Sequence, residues 1–275
     1  LLILVFMGGA TLAGFAPTAV TAVVASILAT LAATFYQSVT TLYHALREVP
    51  SGPREVKLGH WIVISLPIFM AEGFLFLLTN ADVLLVGFFL QPDDVAIYFA
   101  TVKTLALVHF VYFAVKAGAA QRFAQYAHGG EPAQLAAFAR DTANWTFWPS
   151  LLMGLGVLVV GRPMLMLFGE GFEAGYPLLF TLVAGVMVRA SVGPAEALLT
   201  MSGHQKVCAV IYGVALTFNI VLTALLIPFL GLWGVALATA LAICLETVML
   251  AFVIWRKLGI LMFVMAPQPA AREAT

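Results

Sequence analysis

Six charged side chains lie inside long apolar stretches of this 275-residue sequence, where any chemistry must occur away from bulk water. They are Glu72, Asp82, Lys103, Arg189, Glu196 and Glu246. A charge at the centre of a membrane helix costs about 2.5–3.5 kcal/mol on insertion scales, so each of these residues requires a partner or a function. We therefore treat them as the candidate site residues.

Depth along the helices, at about 1.5 Å per residue, indicates how these charges could pair. Glu72 and Arg189 both fall near the membrane midplane, and Asp82 and Lys103 fall at similar depths in two consecutive helices. One interpretation is two buried ion pairs, Glu72 with Arg189 and Asp82 with Lys103, that allow the bundle to insert. Glu196 is an alternative partner for Arg189, because seven residues along a helix return to the same face.

For Arg189 we favour a function. Pro194 frees the carbonyl of Ala190 and Gly193 loosens the turn, so the helix is predicted to break beside an intramembrane cation. Transporter sites are often built in this way. The alternative is a kink that only shapes packing, with Arg189 neutralised by a carboxylate. Pro67 predicts a second hinge.

Three further polar residues have a structural and a functional interpretation. Glu246 is a candidate proton-coupling carboxylate, although we favour a hydrogen bond within the bundle. His109 is expected to be a packed histidine rather than a proton relay, and Asn219 to form an interhelical hydrogen bond. The small residues between Gly231 and Ala240 predict close helix packing.

The elements that position these residues are membrane helices. The sequence is 63% hydrophobic and 9% charged, with a mean hydropathy of +1.04, far from a soluble domain. About 20 apolar residues span the hydrocarbon core as a helix. We predict an all-α integral membrane protein with about eight transmembrane helices, at residues 1–15, 17–43, 59–90, 93–119, 132–160, 173–202, 204–228 and 231–257.

The positive charges predict the orientation. Arg162 alone lies at one set of helix ends, together with the acidic residues Asp93, Asp94, Glu170 and Glu173. The opposite ends hold Arg47, Arg54, Lys57, Lys116, Arg122, Arg140, Lys206, Arg256, Lys257 and Arg272. The positive-inside rule places these ends and the C-terminus in the cytoplasm.

The polar stretch 44–58 reads as a linker between bundles. It separates two helices at residues 1–43 from six at 59–257, with a tail at 258–275. The chain opens on Leu1 inside an apolar run, so we interpret it as part of a longer protein: the last two helices of an N-terminal bundle followed by a complete C-terminal six-helix bundle. Such an arrangement is typical of transporters built from repeats.

Enzyme and cofactor functions find no support in the sequence. No nucleophile elbow, zinc-protease motif or paired metal-ligand spacing occurs, so we expect no enzyme, no cofactor and no metal. Cys208 and Cys244 lie in apolar segments and are expected to be core residues. The formal net charge is zero and the positive charges are dispersed, which gives no reason to expect a nucleic-acid partner.

Three groups of residues together resemble the polysaccharide flippases of the multidrug/oligosaccharidyl-lipid/polysaccharide exporter superfamily, in particular lipopolysaccharide biosynthesis proteins. The resemblance covers nearly the whole chain. Its residues are Ala81 to Phe88 with Val95 to Tyr98 and Lys103, then Leu167 to Gly169 with Phe172 and Gly175 to Pro177, then Asn219 with Leu226 to Pro228 and Gly231 to Ala236.

This resemblance implies two six-helix bundles that alternate between inward-open and outward-open states around a cavity. Its members move undecaprenyl-pyrophosphate-linked oligosaccharides across the bacterial inner membrane, sometimes beside a polysaccharide polymerase or glycosyltransferase. Cations lining the cavity would meet the pyrophosphate, and Lys103 and Arg189 are the candidates here. A guanidinium suits this task because it binds phosphate in a bidentate manner. We expect Glu72 to release the phosphate from Arg189 during the cycle.

The alternative is a cation-coupled multidrug antiporter of the same superfamily. Such a transporter needs membrane carboxylates for the coupling ion and for organic cations, and Glu72, Asp82 and Glu246 could serve. A membrane scaffold or polymerase partner is a third possibility, although a polymerase would be expected to have long external loops.

Overall fold

The chain is an all-α integral membrane protein. Its structure is a computed structural model that describes residues 2–16, 18–48 and 56–265, without the side chains of residues 19, 48 and 60. Within these ranges the regular elements are all helical, and seven helices are long and apolar enough to cross a membrane. An eighth apolar helix near the N-terminus, Leu2–Leu12, is shorter.

The helices belong to two compact units, Leu1–Lys57 and Leu58–Thr275. In the first, α1 (Leu2–Leu12) packs against α2 (Ala19–Glu48). The second unit holds six of the seven candidate membrane helices, and we call it the six-helix unit. Because two of the predicted spans are interrupted, it contains a short 3-10 helix, Phe172–Gly175, and eight α-helical segments. These are α3 (Leu58–Leu78), α4 (Ala81–Phe89), α5 (Pro92–His128), α6 (Pro132–Met166), α7 (Tyr176–Val192), α8 (Ala195–Met201), α9 (Gln205–Leu230) and α10 (Leu232–Leu258).

The predicted spans agree with these helices, but several ends lie further along the chain. α5 continues nine residues past the predicted end at residue 119, to His128, and α6 continues to Met166. α2 extends to Glu48, into the predicted linker. Residues 49–55 of that linker, with Arg54, lie outside the described residues, as do Leu1, Pro17 and residues 266–275 with Arg272.

The span predicted at 59–90 is interrupted at Thr79 and Asn80 and not at Pro67. α3 runs through Pro67 as a continuous helix. At its end, the Thr79 hydroxyl donates to the Leu75 carbonyl at 3.1 Å, and Asn80 Nδ2 donates to the Phe76 carbonyl at 2.8 Å. The Asn80 N–H donates to the Leu77 carbonyl instead of the Phe76 carbonyl, and the Asn80 side chain satisfies the Phe76 carbonyl, so α3 ends inside the predicted span.

The span predicted at 173–202 is interrupted where its Gly193-Pro194 pair predicts. Gly193 adopts φ +65° and ψ −156°, a conformation that is essentially restricted to glycine. Pro194 has no N–H, and the Gly193 N–H donates to the Ala190 carbonyl instead, at 3.0 Å. The Ser191 carbonyl accepts the N–H of Val264 at 2.8 Å, from a segment beyond α10. The break is therefore held by tertiary contacts, and a hinge motion there stays a prediction.

The six-helix unit exposes large apolar residues and buries several charged ones within its apolar core, as expected for a protein in lipid. Large apolar residues such as Leu152 and Phe229 are exposed. Asp82, Glu196 and Glu246, by contrast, are buried in the helix bundle. The membrane, and not water, is the solvent that this surface fits.

Close packing of α9 against α10 depends on small residues, as predicted. A Cβ atom built on Gly234 would lie 2.7 Å from the Leu226 carbonyl oxygen. The predicted interhelical bond of Asn219 is present, since its Nδ2 donates to the Thr239 hydroxyl of α10 at 3.4 Å.

We expect Gly234→Ala to lower stability by about 1–3 kcal/mol, because the new methyl group meets backbone that cannot rotate away. Gly156→Ala is the matched control, because Gly156 is also helical but has no atom within 4 Å of a built Cβ. That substitution should leave stability unchanged or raise it by up to about 1 kcal/mol. Equilibrium unfolding of both variants in detergent provides the comparison, and equal effects would contradict the packing argument.

Candidate functional site

Arg189 of α7 forms an ion pair with Glu246 of α10 in the interior of the six-helix unit. Arg189 Nη2 lies 3.3 Å from Glu246 Oε1, and both side chains are buried. The guanidinium also lies over the Tyr112 ring, 4.6 Å from its centroid. Nε and Nη2 of Arg189 form no hydrogen bond with any described residue. The pair is neutral but has unused hydrogen-bonding capacity.

Lys116 of α5 connects two carboxylates from different helices. Its Nζ lies 2.8 Å from Glu196 Oε1 on α8 and 3.3 Å from Glu72 Oε1 on α3. Glu196 is buried and also accepts the Tyr212 hydroxyl at 2.9 Å, whereas the Glu72 side chain is 57% exposed. One ammonium thus serves a fixed buried carboxylate and an accessible one.

Asp82 lies in the first turn of α4 and is 2% exposed, yet no described Lys, Arg or His nitrogen forms a salt bridge with it. Its Oδ2 accepts the Tyr98 hydroxyl at 2.8 Å, and its Oδ1 accepts the Val83 N–H at 2.9 Å. A carboxylate at a helix N-terminus also gains from the helix dipole. Hydrogen bonds therefore hold Asp82, and its charge has no cationic counterpart in the described part of the chain.

The predicted pairing of Glu72 with Arg189 is wrong, and so is its alternative, Glu196 with Arg189. Arg189 pairs with Glu246, and both other carboxylates contact Lys116. The seven-residue spacing from Arg189 to Glu196 assumed one continuous helix, but the break at Gly193 and Pro194 changes the direction of the second carboxylate. Glu246 forms an ion pair with Arg189, which the favoured interpretation, a hydrogen bond within the bundle, does not include.

The predicted pairing of Asp82 with Lys103 is also wrong. The two residues have similar depths, but Asp82 faces Tyr98 in the interior whereas Lys103 is exposed. The Lys103 ammonium lies 4.9 Å from the Phe99 ring centroid, one turn earlier on α5. Depth determines position along a helix axis only, and the directions of the two side chains around their helices differ.

Lys116 and three tyrosines belong to the site but were not among the predicted site residues. The predicted span ends at residue 119, which puts Lys116 near a helix end, whereas α5 continues to His128 and Lys116 lies inside it. The signal for the longer helix was the Gly129-Gly130 pair, where α5 does end. Tyr98, Tyr112 and Tyr212 carry no signal of their own, since tyrosines are common in membrane helices.

Together the site residues, buried and accessible, carry more negative than positive charge. Four carboxylates, Glu72, Asp82, Glu196 and Glu246, face two cations, Arg189 and Lys116. Within the described ranges, no group of three or more His, Cys, Asp or Glu residues could hold a metal ion. The excess of negative charge attracts cations and repels anions.

Comparison with known proteins identifies the fold. No family profile matches the sequence. No curated protein matches it either. Among solved structures, an outward-facing multidrug resistance transporter of the MATE family, in the MOP superfamily, matches with a TM-score of 0.58 and 20% identity. The match covers 76% of this chain and 48% of the transporter, so the chain spans about half the length of that protein.

The chain is therefore a multi-pass, all-α membrane protein with a MATE-type fold. At 20% identity the likeness establishes the fold alone. The sites of Glu72, Lys116, Glu196, Arg189 and Glu246 all lie within the six-helix unit, Leu58–Thr275.

Proposed function

We propose that this chain forms part of a cation-coupled exporter of the superfamily to which the matched transporter belongs, and that it moves organic cations. The excess of carboxylates over cations among the site residues carries this proposal. A site with four carboxylates and two resident cations attracts a further cation and repels an anion. The matched structure is of a multidrug resistance transporter, which is consistent with this substrate class.

In the proposed mechanism, the exchange step is the replacement of the Lys116 ammonium by a substrate cation on one of the two carboxylates that Lys116 contacts, Glu72 and Glu196. Glu72 is the accessible member, so an arriving cation competes with the Lys116 ammonium for that carboxylate. Lys116 stays on Glu196, where the Lys116 contact is shorter and the Tyr212 hydroxyl provides a second hydrogen bond. A cation can therefore enter and leave without leaving a buried carboxylate unpaired, which would be expensive in lipid.

We expect Glu72→Gln in the intact gene product to slow export of a fluorescent organic cation by about tenfold or more, since a hydrogen bond to a charged group contributes about 1.5–3 kcal/mol. Export is measured with protein in lipid vesicles under an imposed proton or sodium gradient. Glu170→Gln, a substitution of an exposed glutamate, is the matched control. Equal export by the two variants would contradict the role of Glu72.

A second candidate function is the flippase of lipid-linked oligosaccharides, and the exposed Lys103 favours it. Lys103 lies within α5, and its ammonium forms no salt bridge with any described carboxylate. Such a cation could meet a diphosphate headgroup. Arg189, the other candidate, is less suited because Glu246 already pairs with it. On this alternative the protein would lie in a bacterial inner membrane with a cytoplasmic C-terminus, beside a polymerase or glycosyltransferase.

Deletion of the gene separates the two functions. Sensitivity to cationic drugs with normal surface polysaccharide would support the exporter. Normal drug resistance, with lost polysaccharide and lipid-linked precursor trapped in the inner leaflet, would overturn it in favour of the flippase and direct attention to Lys103.

A further inference from the structure

A small cavity inside the six-helix unit joins residues that the exchange step does not use. Its volume is about 40 Å³. Polar side chains from the break after α3 and from α4, α5, α7 and α10 line it, namely Thr79, Asp82, His109, Arg189 and Thr239. About 10–15 Å³ of such space holds one water molecule, so the cavity has room for roughly one to three waters.

The charges around the cavity do not balance. Arg189 is neutralised by Glu246, which leaves the negative charge of Asp82 without a counterpart among the described residues. Other groups near Asp82 carry no compensating charge. Tyr98 and His109 come from α5 and Thr239 from α10, and Asn219 of α9 donates to the Thr239 hydroxyl. Glu72 of α3 and Tyr212 of α9 contact Lys116 and Glu196 instead. An isolated buried carboxylate in a membrane is expensive, so Asp82 requires a cation.

A proton fits this cavity better than a metal ion. Hard metal cations take about six oxygen ligands. The cavity offers two neutral hydroxyls, those of Thr79 and Thr239, besides a carboxylate whose two oxygens already accept hydrogen bonds. The Arg189 guanidinium in the same wall would also repel a metal ion. A proton needs only one carboxylate oxygen.

We propose that Asp82 is a proton-binding site of the six-helix unit, and that waters in the cavity connect it through His109 to the Arg189–Glu246 pair. A hydronium ion in the cavity transfers its proton to Asp82: one hydronium O–H bond breaks, an O–H bond forms on the carboxylate, and a neutral water remains. Release is the reverse, with the Asp82 O–H bond broken and hydronium formed, and no electron changes owner. Arg189 lines the cavity, and its Nε and Nη2 form no hydrogen bond with any described residue, so they give those waters hydrogen-bonding partners. The identification of Asp82 as a proton-binding site does not depend on the proposed function. Only the role of this proton as the coupling ion of the exporter rests on that function.

Infrared difference spectroscopy on the intact gene product in lipid tests the proposal without any substrate. Stepping the pH should produce a carboxylic-acid C=O band that Asp82→Asn abolishes and that the exposed control Glu170→Gln retains. Tyr98→Phe removes the 2.8 Å hydrogen bond to Asp82, so it should shift the frequency of the band and not abolish it. This variant also gives an answer if Asp82→Asn fails to fold.

Three results would overturn the proposal: a band retained in Asp82→Asn, a frequency unchanged in Tyr98→Phe, or a band removed by sodium at constant pH. Since no substrate is present, the band reports on Asp82 even if the vesicle assay finds no export of organic cations. Conversely, export without the band would leave the exporter function standing and reject Asp82 as the proton site.

Discussion

Replacing Glu246 with glutamine should destabilise the folded six-helix unit by about 3–5 kcal/mol, because it leaves the Arg189 guanidinium buried and unpaired. Glu246 is fully buried, and its Oε1 lies 3.3 Å from Arg189 Nη2. Glutamine keeps the shape of the side chain, so the change tests the charge and not the packing. The measurement is equilibrium unfolding in mixed detergent, followed by circular dichroism.

A double variant separates the ion pair from the rest of the site. Arg189→Gln with Glu246→Gln removes both charges and should recover most of the stability lost in the single variant, since replacing a buried pair as a whole is often nearly neutral. Glu170→Gln controls for the loss of one glutamate at an exposed position. A loss of less than about 1 kcal/mol in Glu246→Gln would mean that Arg189 finds water or another partner.

The sequence predicts the fold because hydrophobicity and charge act on whole segments. Long apolar runs identify the helices, and the Gly193-Pro194 pair identifies a break, since proline lacks an N–H and only glycine adopts the backbone conformation found there. Asn219 and Gly234 are likewise predictable, because a polar amide or a missing side chain in a membrane helix has few other uses.

The pairing of the charges could not be predicted, because it depends on direction around each helix. A single break changes that direction for every residue beyond it. The interruption at Thr79 and Asn80 precedes Asp82, and the one at Gly193 and Pro194 separates Arg189 from Glu196. A carboxylate that is close in sequence or similar in depth is then no better a partner than Glu246, which lies 57 residues after Arg189.

Residues 259–265 lie in the predicted C-terminal tail, but they pack against the helices of the six-helix unit. Ile260, Met262 and Val264 are buried, whereas Leu261, Phe263 and Met265 between and after them are exposed. This alternation indicates an extended segment packed on one side. The Val264 N–H bonds to Ser191 beside the helix break, and the Met265 N–H donates to Asn144 Oδ1 at 3.3 Å. The segment therefore contacts both α6 and the end of α7.

Gly193→Ala should cost about 3 kcal/mol or more, because two separate penalties coincide at this break. The backbone conformation, φ +65° and ψ −156°, is strained for alanine. The new Cβ would also lie 2.7 Å from the Ala143 Cα of α6 and 3.3 Å from the Met262 methyl group. Met262 can move, but the α6 backbone cannot, so either α7 must shift away from α6 or the break must change its conformation.

Gly203→Ala distinguishes the two penalties. Gly203 has φ +81°, but a Cβ built on it has no neighbour within 4 Å, so only the backbone term of about 1–2 kcal/mol applies. Equilibrium unfolding of both variants in the same detergent should therefore give a clearly larger loss for Gly193→Ala, and the difference measures the contact with α6. If the two losses are equal, α6 is not packed tightly against the break, and the helix end beside Arg189 is free to rearrange without moving α6.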